Sequence, residues 1–125
     1  MYDPLGAKKF LLASYPDLST LPYRNFITSE LIQTLHNYSV SYRQQISQLA
    51  MPEHQVAYAD FFGLFQKIFE HPKHFGFDPN VLEKSCLTGA YSEAPRTLCD
   101  DPDKFVFWDE FHVSVKSTLQ WFPFV

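Results

Sequence analysis

From Arg24 to Leu49 the apolar residues Ile27, Leu31, Leu35, Tyr38, Tyr42, Ile46 and Leu49 follow one another at steps of three or four. Residues at that spacing share one face of an α-helix. The stripe therefore predicts a long helix with Arg43, Gln44, Gln45 and Gln48 on the opposite face, closed by Pro52. A short apolar run stands on each side. Lys9-Phe10-Leu11-Leu12-Ala13-Ser14 follows Gly6, and Gln55-Val56-Ala57-Tyr58-Ala59-Asp60 precedes a second helical pattern. The first reads as a fully buried, parallel strand, and the second as its partner in an alternating α/β arrangement.

Between the first strand and the helix, Tyr15-Pro16-Asp17-Leu18-Ser19-Thr20-Leu21-Pro22 holds turn formers and prolines. It is a loop at the C-terminal end of a strand, the edge where open α/β sheets build their sites. His36, beside the apolar stripe, reads as a packed or half-exposed helix residue rather than a ligand. Phe61 to Glu70 has helical spacing at Phe61, Phe65 and Ile68 and at Phe62, Phe65 and Phe69, which reads as core. Asp60 stands where it can cap that helix, a role preferred here to a catalytic one. His71-Pro72-Lys73-His74 has a metal-like spacing, but Pro72 breaks the helical geometry and no nearby Cys completes a site. No metal and no cofactor is expected.

Phe75 to Lys104 is irregular, with Pro79, Gly89, Pro95 and Pro102. At about 30 residues it is too long for a passive connection and reads as functional or pinned by a disulfide. Cys86 and Cys99 flank its loop-like middle. A disulfide between them is the favoured reading, with two free thiols of a cytosolic protein as the alternative.

After that stretch comes Phe105-Val106-Phe107-Trp108-Asp109-Glu110-Phe111-His112. Phe105 to Trp108 reads as a buried strand end. A strand delivering Asp109 to the rim of a core, followed by one tight turn, puts Asp109 and His112 side by side. A His whose tautomer is fixed by a carboxylate can take the proton of a Ser hydroxyl. Val113 to about Gln120 predicts a short closing helix, and Trp121-Phe122-Pro123-Phe124-Val125 an apolar tail.

The 125 residues suffice for a single domain, and a composition 46% hydrophobic with 13 Phe and 7 Tyr excludes disorder. Such an aromatic share reads either as an aromatic core or as rings left without partners. The net charge of −4, with no basic cluster beyond Lys8-Lys9, gives no footprint for nucleic acid. No apolar run approaches the ~20 residues of a membrane-spanning helix, and Met1-Tyr2-Asp3-Pro4 shows no signal peptide.

Six pieces in order resemble the C-terminal half of the SGNH or GDSL hydrolases, in the branch of phospholipase/lecithinase/hemolysin proteins and related acyltransferases. They are Leu5-Gly6-Ala7-Lys8-Lys9-Phe10-Leu11-Leu12, Tyr15-Pro16-Asp17-Leu18 with Leu21-Pro22, and Ala59-Asp60-Phe61-Phe62-Gly63-Leu64-Phe65. The others are His71-Pro72-Lys73-His74-Phe75-Gly76-Phe77, the Cys86-Leu87-Thr88 and Cys99 pair, and Phe107-Trp108-Asp109-Glu110-Phe111-His112. The resemblance implies part of a flavodoxin-like α/β/α sandwich with parallel strands, incomplete, over residues 1–125. It implies that Asp109 orients His112, which activates the Ser of a Gly-Asp-Ser block.

That block and a Gly-x-Asn-Asp oxyanion block are both absent from this sequence. Ser14, Ser19 and Ser85 do not stand in a comparable setting. Where the family usually has Pro-Thr after the His, this chain has Val113-Ser114. The expectation is a lipolytic ester hydrolase or acyltransferase of which this chain supplies the Asp and His, from an exported parent. Its partners are then a lipid or other ester and either a complementary N-terminal chain or a second copy. The alternative is a catalytically dead interaction module that keeps the scaffold.

Overall fold

The computed structural model describes residues 6–120. The expected apolar surface at Trp121–Val125 lies outside them. Strands β1 (Phe10–Ala13) and β2 (Val56–Ala59) pair in parallel, with Phe10 opposite Val56 and Ala13 opposite Ala59. Backbone bonds from Phe10 N–H to Gln55 O and from Ser14 N–H to Ala59 O extend the ladder at both ends. The connection between the strands is helix α1 (Ser29–Gln48). The result is an α/β unit of the kind an incomplete α/β/α sandwich contains.

Helix α1 begins later than the stripe predicts. Pro22–Phe26 forms a 3₁₀ turn, and the Thr28 hydroxyl accepts the Leu31 N–H at 3.2 Å, so the helix starts at its cap. Its contact face also differs. Ile32, Leu35, His36, Ser39, Tyr42, Arg43 and Ile46 face the protein, whereas Leu31, Tyr38 and Leu49 are exposed. Relative to the apolar stripe the contact face is turned by roughly 70°, at 3.6 residues per turn. Polar contacts decide the rotation. The Leu18 N–H donates to Ser39 Oγ at 3.0 Å, Ser39 Oγ donates to the Leu35 carbonyl, and Arg43 reaches Asp60.

Helix α2 (Phe61–Glu70) carries the core. Leu64, Phe65 and Ile68 pack with Phe77, Val106 and Phe107, edged by Leu21, Phe69, Phe75, Leu82 and Val113. Each buried Phe or Ile contributes about 1.5–3 kcal/mol. The main cluster therefore lies between α2 and the C-terminal run, and the sheet adds the buried Val56 and Ala59. Leu11 and Ala57, opposite each other in β1 and β2, are exposed. Parallel strands are ordinarily covered on both faces.

Phe105–Trp108 is not a regular strand. Phe107 makes isolated bridges to Ser85 and Val113. The chain turns back at once, because the Trp108 N–H donates to the His112 carbonyl at 2.8 Å. Val106 and Phe107 are nevertheless fully buried. Two-residue strands β3 (Leu87–Thr88) and β4 (Thr97–Leu98) pair antiparallel inside the irregular stretch.

Helix α3 (Val115–Leu119) is capped by Ser114, whose Oγ accepts the Ser117 N–H at 3.1 Å. Ser117, fully buried, donates to the Val106 carbonyl at 2.7 Å. Lys116 donates to the carbonyls of Gly76 and Asp103. Gly76 has φ 79°, a left-handed conformation that favours glycine in the turn after α2. Among the described residues no helix is long and apolar enough to cross a membrane.

Candidate functional site

Asp109 and His112 meet at the turn that follows the buried Val106–Phe107 pair. Asp109 Oδ1 accepts the Phe111 N–H at 2.9 Å and the His112 N–H at 2.8 Å. His112 Nδ1 lies 2.9 Å from Oδ1 and 3.0 Å from Oδ2 of the same carboxylate. An ionised carboxylate only accepts, so Nδ1 carries the proton and Nε2 the lone pair. Burial by itself pushes the Asp109 carboxyl up. The Phe111 and His112 amides and the imidazole outweigh it and hold the carboxyl below its usual range. The Asp109 side chain is 6% exposed and that of His112 63%, so a fixed anion sits under an accessible base.

The buried serines are engaged elsewhere. Ser14 Oγ donates to Asp60 and accepts the Phe62 N–H, Ser19 Oγ donates to Asp17, and Ser85 Oγ donates to the Leu87 carbonyl. Among the described residues no serine hydroxyl is hydrogen-bonded to His112.

Cys86 and Cys99 form a disulfide with their Cα atoms 4.8 Å apart. It closes the loop that holds β3 and β4. That loop is stitched to the run before the dyad, since the Cys86 and Leu87 N–H groups donate to the Phe107 and Trp108 carbonyls. Arg96, within the loop, reaches Glu110 across a 3.2 Å ion pair. Tyr23, Phe26, Tyr91, Glu110 and Phe111 line a groove of about 490 Å³ that shares two residues with the turn.

A second acid–imidazole contact lies between the β1–α1 loop and α1. His36 Nδ1 is 2.5 Å from Asp17 Oδ2, while Asp17 Oδ1 accepts the N–H and the hydroxyl of Ser19. Asp17 and His36 line a cavity of about 270 Å³ with Phe62, Phe65 and Phe69. His36 is half-exposed, within the packed or half-exposed helix position expected of it, and the Asp17 partner is what the sequence does not show.

Asp60 caps α2 by accepting the Gly63 N–H at 3.2 Å, as expected. It also takes a two-pronged contact from Arg43 and hydrogen bonds from Tyr58 and Ser14. Burial raises its pKa, but the Arg43 guanidinium and the Gly63 amide outweigh that and hold it low. Sequence reasoning put Arg43 on the far face of α1. Its one usable signal was an arginine in an otherwise neutral polar stretch. Among the described residues no group of three or more His, Cys, Asp or Glu side chains is placed to hold a metal ion.

No protein-family model matches the chain. Two GDSL esterases/lipases of Arabidopsis thaliana are 29% and 26% identical to it, each over 90% of this chain and over 36% and 34% of their own lengths. A thermolabile hemolysin of Vibrio parahaemolyticus is 29% identical over 86% of this chain and 28% of its own length. The chain thus spans about a third of the length of the curated relatives it matches. Along nine-tenths of its residues, and with an α/β unit as its fold, the chain is similar to part of the GDSL esterases/lipases.

Proposed function

We propose that Asp109 and His112 are the acid and base of a GDSL-type lipolytic ester hydrolase whose serine nucleophile and oxyanion donors come from residues outside this chain. One observation carries the reading: a carboxylate held by two backbone amides presents its charge to Nδ1 of an exposed imidazole. The Ser hydroxyl passes its proton to His112 Nε2 as its oxygen bonds the ester carbonyl carbon. The carbonyl electron pair moves onto oxygen, and its return expels the alkoxide, which takes the proton from Nε2. Water then attacks the serine ester by the same two transfers and releases the acid. An alcohol in place of water gives acyl transfer instead. Asp109 stays ionised throughout and stabilises the imidazolium.

The parent is an exported protein in this reading, and the disulfide supports an oxidising compartment. Residues 1–125 are one partial domain. The exposed Leu11–Ala57 face and the outer stripe of α1 support a complementary N-terminal chain as partner, or a second copy.

The test is hydrolysis of a short-chain p-nitrophenyl ester. Pure chain is expected to be inactive, and chain combined with a GDSL-family N-terminal part carrying Gly-Asp-Ser is expected to be active until His112→Ala removes it. Turnover by the combined protein that survives His112→Ala rules the reading out. Turnover by the pure chain that His112→Ala abolishes places the nucleophile within these residues instead.

A further inference from the structure

We propose that Arg96 is a positioning residue that clamps the Asp109–His112 turn, so that the cysteine loop sets the aim of the imidazole. The inference rests on the hydrolytic reading of that dyad. The residues between Asp109 and His112 are Glu110 and Phe111, the first tied to Arg96 directly and the second through Tyr91. Arg96 Nη2 lies 3.2 Å from Glu110 Oε2 and 3.4 Å from the Gly89 carbonyl. The guanidinium also stands 5.2 Å from the Tyr91 ring centre, and Tyr91 meets Phe111 edge-on at 5.8 Å. Tyr23 braces the other side, with its ring 4.9 Å from Phe111 and its N–H on the Glu110 carbonyl.

The pair is costly for a surface turn. The Arg96 and Glu110 side chains are only 19% and 13% exposed, and Arg96 Nε is buried without a hydrogen-bond partner. Removing such charges from water offsets much of their attraction, so a buried pair is weak as a source of stability. Its definite effect is geometric. It fixes two neighbours of the dyad to a loop that the Cys86–Cys99 bridge closes. That loop also bonds Phe107 and Trp108 immediately before Asp109. The turn is thereby held from both ends. Catalysis needs such aim, because a misplacement of about 1 Å can cost roughly a hundredfold in rate.

The test is residue-resolved amide exchange by NMR on the 125-residue chain. The Phe111 and His112 N–H groups, which both donate to Asp109, report the turn. Leu64 and Ile68 of α2 report the core. Arg96→Gln and Glu110→Gln are expected to speed exchange at 111 and 112 about tenfold and leave the core amides unchanged, a local opening rather than a global one. Exchanging the charges, as Arg96→Glu with Glu110→Arg, is expected to restore protection. Glu110→Gln keeps shape and removes only charge, so it carries the test if Arg96→Gln does not fold.

Wild-type exchange at 111 and 112 in folded Glu110→Gln overturns the clamp. Equal acceleration in the core overturns it too, since that marks a merely stabilising pair. In the combined hydrolase, Arg96→Gln lowers kcat with little change in KM. Hydrolysis that survives His112→Ala overturns the hydrolytic reading alone, because the exchange result does not depend on it.

Discussion

Among the described residues two carboxylates hold the Nδ1 of a histidine, and the two pairs are unlike. Asp109 and His112 are separated by three positions, and the carboxylate is buried under backbone amides that arrive with the turn itself. Asp17 and His36 are separated by 19 positions and come from a loop and a helix. Asp17 is 15% exposed and His36 45%, and the carboxylate is shared with Ser19. Proximity to an imidazole is common to both. The local pair is the one whose carboxylate, amides and ring are fixed by one short stretch of backbone. The long-range pair ties a loop to a helix, and its worth depends on that packing.

The sharpest way to break the comparison is catalytic. In the combined hydrolase His112→Ala is expected to lower kcat by about 10⁴-fold or more, as loss of a general base does. His36→Ala should stay within about threefold, because the hydrogen bond of its ring goes to Asp17 and not to the Asp109–His112 pair. Similar losses for both would put His36 in the reaction.

Stability separates the carboxylates next. Asp109→Ala strands the amides of Phe111 and His112 and is expected to cost about 2 kcal/mol. Asp17→Ala loses the contact to Ser19 and should cost about 1 kcal/mol. Urea unfolding of both variants decides it, and a reversed order would mean that the loop–helix tie is the stronger anchor.

The pH dependence sharpens the same point. The folded-state pKa values of Asp109 and Asp60 lie below the ordinary 3.8. Their stabilisation is therefore full above pH 3.8 and is lost as the pH falls from there through the folded-state values. Unfolding midpoints measured from pH 7 to pH 2 should fall at the acid end, and less steeply in Asp109→Asn.

The smallest effect lies on the outer side of α1. Tyr38→Ser is expected to change stability by less than about 0.5 kcal/mol, because Tyr38 is 60% exposed. Self-association measured by sedimentation should weaken. A loss of stability of the size seen in the core would show that this face is covered.

The strand–helix–strand order was legible because apolar spacing is a local signal, and β1, β2 and α2 lie where it put them while α1 starts later, at Ser29. The Asp109–His112 contact was legible for a related reason, since one turn of backbone joins its members. The strand expected at Phe105–Trp108 failed because its backbone groups go to the turn and to the cysteine loop. Burial there was foreseen, but pairing was not, since apolar runs report burial and not hydrogen-bond partners.

What the sequence by itself determined is thus the order β1, α1, β2 and α2, the cap at Asp60, the cysteine loop and the local dyad. What only the tertiary structure decided is the rotation of α1, with Arg43 turned inward onto Asp60, and the pairing of Asp17 with His36 and of Arg96 with Glu110. These contacts join residues 14 to 19 positions apart across a loop or between elements. No spacing rule reaches that far along a chain. A partly buried charge takes whichever opposite charge the packing brings within reach, and that is settled only when the elements meet.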